Sequence, residues 1–113
     1  MSRVTIITRT VNRPVLLERA LRSILAQTFT DWHWVVVDSS ASGASSSLLQ
    51  SNAGQLRDRV THFHFRNPEP GMRGAAINAG INASEDELIT LLDDDDTWEP
   101  QFLEKMVAAL DRE

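Results

Sequence analysis

The stretch from Glu87 to Pro100, ELITLLDDDDTWEP, constrains the chain most. Leu88, Ile89, Leu91 and Leu92 make a short apolar run suited to a buried parallel strand, and it stops at four consecutive carboxylates, Asp93 to Asp96. Adjacent negative charges repel one another. A fold keeps such a cluster beside a core strand when something cationic neutralises it, and a divalent metal with oxygen ligands meets that need. The competing reading is a solvated acidic turn, because charge runs are ordinarily exposed. Position favours the metal, since the carboxyl ends of strands are where open α/β sheets bind ligands.

A chain of 113 residues is expected to form a single domain over 1–113, with room for one core. Its formal charge of -5 argues against a nucleic-acid backbone as partner but leaves room for an anionic small ligand bridged to the acids by a metal. Cysteine is absent, which removes disulfide scaffolds and thiol chemistry and suits a reducing compartment. No apolar run reaches membrane-spanning length, and Met1 to Thr10 lacks the hydrophobic region of a signal peptide. The expectation is a cytoplasmic protein with no membrane segment in this chain.

Taken in order, Val4 to Thr8 is rich in β-branched residues and reads as a first buried strand. Pro14 fits the first turn of a helix, and Leu16, Leu17, Ala20, Leu21, Ile24 and Leu25 supply its apolar stripe. A second strand runs from about Trp34 to Val37 and ends on Asp38. The small-residue stretch SSASGASSS that follows reads as a flexible linker or a ligand-wrapping loop, with flexibility favoured by composition, and a short helix is expected around Ser47 to Leu56. Val60 to Phe65 alternates as a third strand, with Phe63 and Phe65 on one face and His62 and His64 on the other. An H-x-H pair can bind zinc, but no third ligand of the usual kind lies near, so packing on the strand face is the default.

Gly71 to Ala83, GMRGAAINAGINA, carries Gly and Ala where a helix would lie close to the sheet or admit a ligand to its backbone. Arg73, beside small residues at a helix start, suits a phosphate clamp. A last helix begins near Pro100, with Phe102 or Leu103, Met106, Val107 and Leu110 toward the core. Strand and helix alternate four times, which predicts an α/β fold: an open parallel sheet with helices on both faces. The loops after strands one, two and four then share an edge, so Thr10, Asn12, Asp38 and Asp93 to Asp96 surround one crevice within reach of Arg73.

ITRTVNRP after the first strand, VVVDSS after the second, MRGAAINAGI and LLDDDDTWEP together resemble the nucleotide-binding half of glycosyltransferase family 2, inverting enzymes of the GT-A fold. The likeness runs in order along nearly the whole chain. It implies a Rossmann-like domain that is the N-terminal part of a longer enzyme, transferring a sugar, a hexosyl group as the leading expectation, from a nucleoside-diphosphate sugar to a saccharide or lipid-linked acceptor. UDP-sugar is the expected donor and Mg2+ or Mn2+ the expected cofactor. The resemblance places Thr10 and Asn12 at the nucleotide pocket, Asp38 at the base or ribose, and Arg73 near the diphosphate. Asp93 and Asp95 become the D-x-D motif, Asp93 toward the ribose and Asp95 on the metal, and four acids in a row leave Asp94 and Asp96 as sharers of these duties. No catalytic residue is identified, because the family's general base, usually an aspartate, is expected beyond Glu113, so the fragment alone is expected to be inactive. The inner face of a membrane, reached through parts outside this chain, is compatible with that reading. An open apolar edge, and with it self-association, is also expected.

Ser39 stands where many members carry a second acid, and Arg9 and Val11 replace a proline and an aromatic common in the first loop. Rival readings are weaker. DDDDT satisfies the D-x-D-x-T nucleophile motif of haloacid-dehalogenase-like phosphatases, but that motif opens its domain and here it nearly closes the chain. The EF-hand lacks its glycine and downstream glutamate, and no P-loop motif is present. A non-catalytic nucleotide-sugar-binding module shares every binding residue with the enzyme and is the alternative that stands.

Overall fold

The computed structural model describes residues 3–40, 43–64, 73–82 and 86–112, and within 73–82 the side chains from 78 onward. Its strands are β1 (Val4–Thr10), β2 (Trp32–Asp38), β3 (Val60–His64) and β4 (Leu88–Leu91). The helices are α1 (Pro14–Leu25), α2 (Ala44–Ser51), α3 (Ala53–Leu56), α4 (Arg73–Asn82) and α5 (Phe102–Asp111). All pairings are parallel and the sheet order is β3-β2-β1-β4. β1 therefore lies between β2 and β4, and the chain changes winding direction at the β1/β4 boundary. In sheets of this kind, loops diverge at such a boundary and leave a crevice at the strands' carboxyl ends.

Pleating divides the core in two. Val4 and Ile6 of β1, Trp32, Trp34 and Val36 of β2, and Leu92 point to the face covered by Leu17, Ala20, Leu21 and Ile24 of α1, by Leu49 and Leu56 of α2 and α3, and by Leu103 and Val107 of α5. Ile7, Val35 and Val37 point the other way, with Phe63 packed on them. That second face belongs to α4: a Cβ on its Gly80 would come within 2.8 Å of Ile7 Cγ2 and 3.1 Å of Val37 Cγ2. At Gly80, then, the absence of a side chain serves close helix-to-sheet packing. Helices cover both faces, as the alternation of elements predicts.

Three expectations change on contact with the structure. β1 runs on to Thr10, two residues past the apolar pattern, because Arg9 and Thr10 pair in register with Val37 and Asp38. The small-residue stretch after β2 is helical from Ala44, with Ser45 and Leu49 buried, so burial of one face overrides composition. β4 is half-buried on one side and exposed on the other: Ile89 is 42% exposed and Leu91 50% exposed. Their pairing partners are Thr5 and Ile7, so both lie on the face of α4, which packs on β1 and β2. In α5, Leu103 and Val107 are buried, Met106 is half-buried, and Phe102 and Leu110 face outward, Phe102 stacking on Trp98 at 4.6 Å between centroids. Phe65, Gly71, Met72 and Ala83 lie outside the described residues.

Candidate functional site

The acidic turn is held from both ends. Before it, the amide of Leu92, which is buried, donates to the Ile7 carbonyl at 3.0 Å, continuing the β1/β4 ladder one step. After it, Gln27 acts as a buried clamp that no sequence pattern announces. Its Nε2 donates to the Glu99 carbonyl at 2.8 Å and to the Ser23 carbonyl at 3.1 Å. Its Oε1 accepts the Leu103 amide at 3.0 Å, satisfying one of the donors that the start of α5 leaves open. The turn closes with the Asp96 amide donating to the Asp93 carbonyl at 3.1 Å.

Within this frame the four acids separate into one that points inward and three that point outward. Asp94 is 6% exposed. Thr10 Oγ1 donates to its Oδ2 at 3.0 Å, and Arg13 Nη1 forms an ion pair with its Oδ1 at 3.5 Å. Burial pushes the Asp94 carboxyl above its usual range; Thr10 and Arg13 oppose that push, and the charges of Asp95 and Asp93 add to it. Asp93, Asp95 and Asp96 are exposed, and each offers a carboxylate oxygen within 4.8 Å of the others. Three hard oxygen donors so close together fit Mg2+ or Mn2+, which prefer carboxylate and water ligands. Packing separates the four identical residues: Asp94 turns to the β1 loop, and the other three face out together.

A cleft of about 170 Å³ opens beside the turn, lined by Arg9, Val11, Arg13, Asp93, Asp94 and Asp95. Arg9 is half-buried, and its Nε is buried with no hydrogen-bond partner among the described residues. Sequence reasoning noted Arg9 only as a departure from a motif. What could have singled it out is a charged residue set within a strand of buried neighbours.

The loops after β1 and β2 are stitched together. The Ser39 amide donates to the Thr10 carbonyl at 2.9 Å, and the Asn12 amide donates to Ser40 Oγ at 2.6 Å. Asn12 takes a positive φ of 51°, a region in which asparagine is better tolerated than most residues. Asp38 is 2% exposed. Its Oδ1 accepts the Ser40 amide at 2.8 Å, and its Oδ2 lies 2.9 Å from His62 Nε2. Burial alone would raise the Asp38 carboxyl, but the bonds from Ser40 and His62 outweigh it and hold the group below its usual range. Hydrogen bonds thus join Thr10 to Asp94 and link Asn12 through Ser40 to Asp38, while the cleft itself is lined by Asp93 to Asp95 and the β1 loop, with Thr10 and Asp38 buried behind it. α4 begins at Arg73, whose side chain lies outside the described residues.

The α/β fold with its four-stranded parallel sheet, of order β3-β2-β1-β4, matches solved structures of the GT-A fold. The family described as Glycosyl transferase family 2 matches residues 5–113, and the chain belongs to that family, as its N-terminal nucleotide-binding region. Among curated relatives, a GalNAc(5)-diNAcBac-PP-undecaprenol beta-1,3-glucosyltransferase of Campylobacter jejuni is 38% identical over 96 residues, covering 85% of this chain and 30% of its own length. A putative colanic acid biosynthesis glycosyl transferase, WcaA of Escherichia coli, is 35% identical over 100 residues, covering 88% and 34% respectively. Of solved structures, the mannosyltransferase PcManGT of Pyrobaculum calidifontis, in complex with GDP-Man and Mn2+, superposes with a TM-score of 0.72 at 27% identity, over 85% of this chain and 28% of that one. Staphylococcus aureus TarS 1-349 in complex with UDP-GlcNAc superposes at 0.80 with 23% identity, over 97% of this chain and 31% of that one, a likeness of fold. The chain thus spans about a third of the length of these relatives.

Proposed function

We propose that this chain is the donor-binding half of a metal-dependent glycosyltransferase, taking a nucleoside-diphosphate sugar, with UDP-sugar as the leading candidate and an acceptor bound by parts outside the chain. The observation that carries the reading is the convergence of the Asp93, Asp95 and Asp96 carboxylates at the end of β4, beside the β1 and β2 loops. Asp95 and Asp93, with Asp96 beside them, would hold Mg2+ or Mn2+, which when bound supplies positive charge opposite a diphosphate leaving group. The chain's own residues do the rest. Asp38, itself buried, would act at the nucleoside end by holding the loop of Ser40 and Asn12, while Arg9 and Arg13, which line the cleft, and Arg73 at the start of α4 would serve as cations for the phosphates. Departure of a nucleoside diphosphate from a sugar builds positive charge on the ring and negative charge on phosphate, so cations fixed in advance at the phosphate end lower the barrier. The mannosyltransferase PcManGT, solved with GDP-Man and Mn2+, supports the ligand class.

Calorimetry with UDP and with GDP, each with Mn2+, tests this. Binding is expected to be metal-dependent, and Asp95→Ala or a chelator is expected to weaken it about tenfold or more, the usual cost of removing one partner of a charge-assisted contact. Affinity untouched by Asp95→Ala would rule out the metal assignment. On this reading the chain, which spans about a third of the length of its relatives, supplies the donor side alone, so no release of nucleoside diphosphate from donor sugar is expected from it. Turnover by it would show the remaining half to be dispensable.

A further inference from the structure

β3 contributes one side chain, bonded to Asp38 behind the cleft, that the donor-site reading leaves unused. In the β2/β3 ladder His62 sits opposite Val36 and His64 opposite Asp38, so His62 shares the Asp38 face and reaches diagonally one pleat toward it. Its Nε2 lies 2.9 Å from Asp38 Oδ2. A carboxylate only accepts, so Nε2 carries the proton and donates. The other carboxylate oxygen is taken by the Ser40 amide, and Ser40 Oγ in turn accepts the Asn12 amide. His62, Asp38, Ser40 and Asn12 form one continuous chain of hydrogen bonds spanning β3, the β2 loop and the β1 loop. A buried carboxylate is tolerated only when both oxygens are satisfied, and His62 is the side chain that satisfies the second.

We propose that His62 is a positioning residue for nucleotide binding: it fixes the Asp38 carboxylate, and through Ser40 and Asn12 it sets the two loops that flank the nucleoside end of the cleft. The inference rests on the donor-site reading. It differs from plain strand packing in requiring a hydrogen-bond donor at position 62, not merely a side chain of that size. Glutamine and methionine are close in volume, and only the amide can donate to Asp38, so His62→Gln and His62→Met separate the two roles.

The experiment is calorimetry of this chain with UDP and with GDP in the presence of Mn2+, with thermal unfolding of each variant alongside. Expected are a loss of about tenfold or more in nucleotide affinity for H62M, recovery to within about threefold of wild type for H62Q, and an unchanged affinity for Mn2+ alone. Wild-type affinity in a folded H62M, or an H62Q as weak as H62M, would overturn the proposal. Should H62M not fold, wild-type protein decides: the His62 ring nitrogens and the Ser40 amide are expected to shift together in 15N spectra on saturation with nucleotide, and shifts confined to the acidic turn would overturn it. A wild type that binds neither nucleotide overturns the donor-site reading itself, and this inference with it. That outcome is distinct from binding that is indifferent to position 62.

Discussion

Asp38 and Asp94 are both buried carboxylates at strand ends, yet their surroundings act on them in opposite directions, and each has a consequence for stability. The Asp38 carboxyl is held below its unfolded value, so it contributes stability above the ordinary carboxylate range that is lost as pH falls through its folded value. The Asp94 carboxyl is raised, so its ionised form costs the folded state stability at neutral pH, and protonation in the window just above the ordinary range relieves that cost. Urea unfolding across pH should therefore show Asp38→Asn flattening the acid limb, and Asp94→Asn gaining relative to wild type at neutral pH with the gain vanishing on acidification. Thr10→Val keeps the shape but removes the donor to Asp94, and is expected to destabilise by about 1–3 kcal/mol, read as a lower urea midpoint at unchanged slope. None of this polarity was legible locally. Thr10 and Asp94 are separated by 84 positions, and although the alternation of elements sets Thr10 and the four acids at one edge of the sheet, no pattern in either segment says that Asp94 is the acid that turns to Thr10.

At the scale of elements, much could be read in advance, because periodicity and caps are local. Pro14 at the first helical position and the stripe Leu17, Ala20, Leu21 and Ile24 define α1 in sequence and in space. The β-branched residues of β1 and the apolar run before Asp93 mark strands for the same reason. Burial of individual residues was less legible. Ile89 and Leu91 look as apolar as Leu88 and Leu92, but β4 is an edge strand among the described residues and α4 packs on β1 and β2, which leaves one face of β4 exposed. Gly80 is the reverse case: a residue that looks permissive is required by contact. Gly80→Ala would gain about 1 kcal/mol of helix propensity but force a methyl against Ile7, a β-branched side chain of the core with little room to move. Overpacking of that kind costs about 1–3 kcal/mol, so a net loss of stability is expected, measurable as a lower melting temperature with the helical circular dichroism retained.

For the whole molecule, the sheet order matters most, because it brings the tips of β1, β2 and β4 together and closes the acidic turn against the first loop. Three outward carboxylates held at one point repel one another, and a cation bound among them would relieve that repulsion and so link metal binding to folding. On the donor-site reading, Mn2+ at about a hundred times its dissociation constant is expected to stabilise the folded chain by about 2.7 kcal/mol, a rise of several degrees in melting temperature. The same addition to Asp93→Ala or Asp95→Ala is expected to produce little or no shift. The sequence by itself determined the alternation of strands and helices, the strand ends on which the acids and Asp38 fall, and the family, since these follow from backbone preference, burial period and short motifs. Only the tertiary structure decided that Asp94 turns inward while Asp93, Asp95 and Asp96 turn out, that Gln27 clamps the turn, and that His62 holds Asp38. Those are contacts between residues far apart in the chain, and their geometry is set by which strands become neighbours.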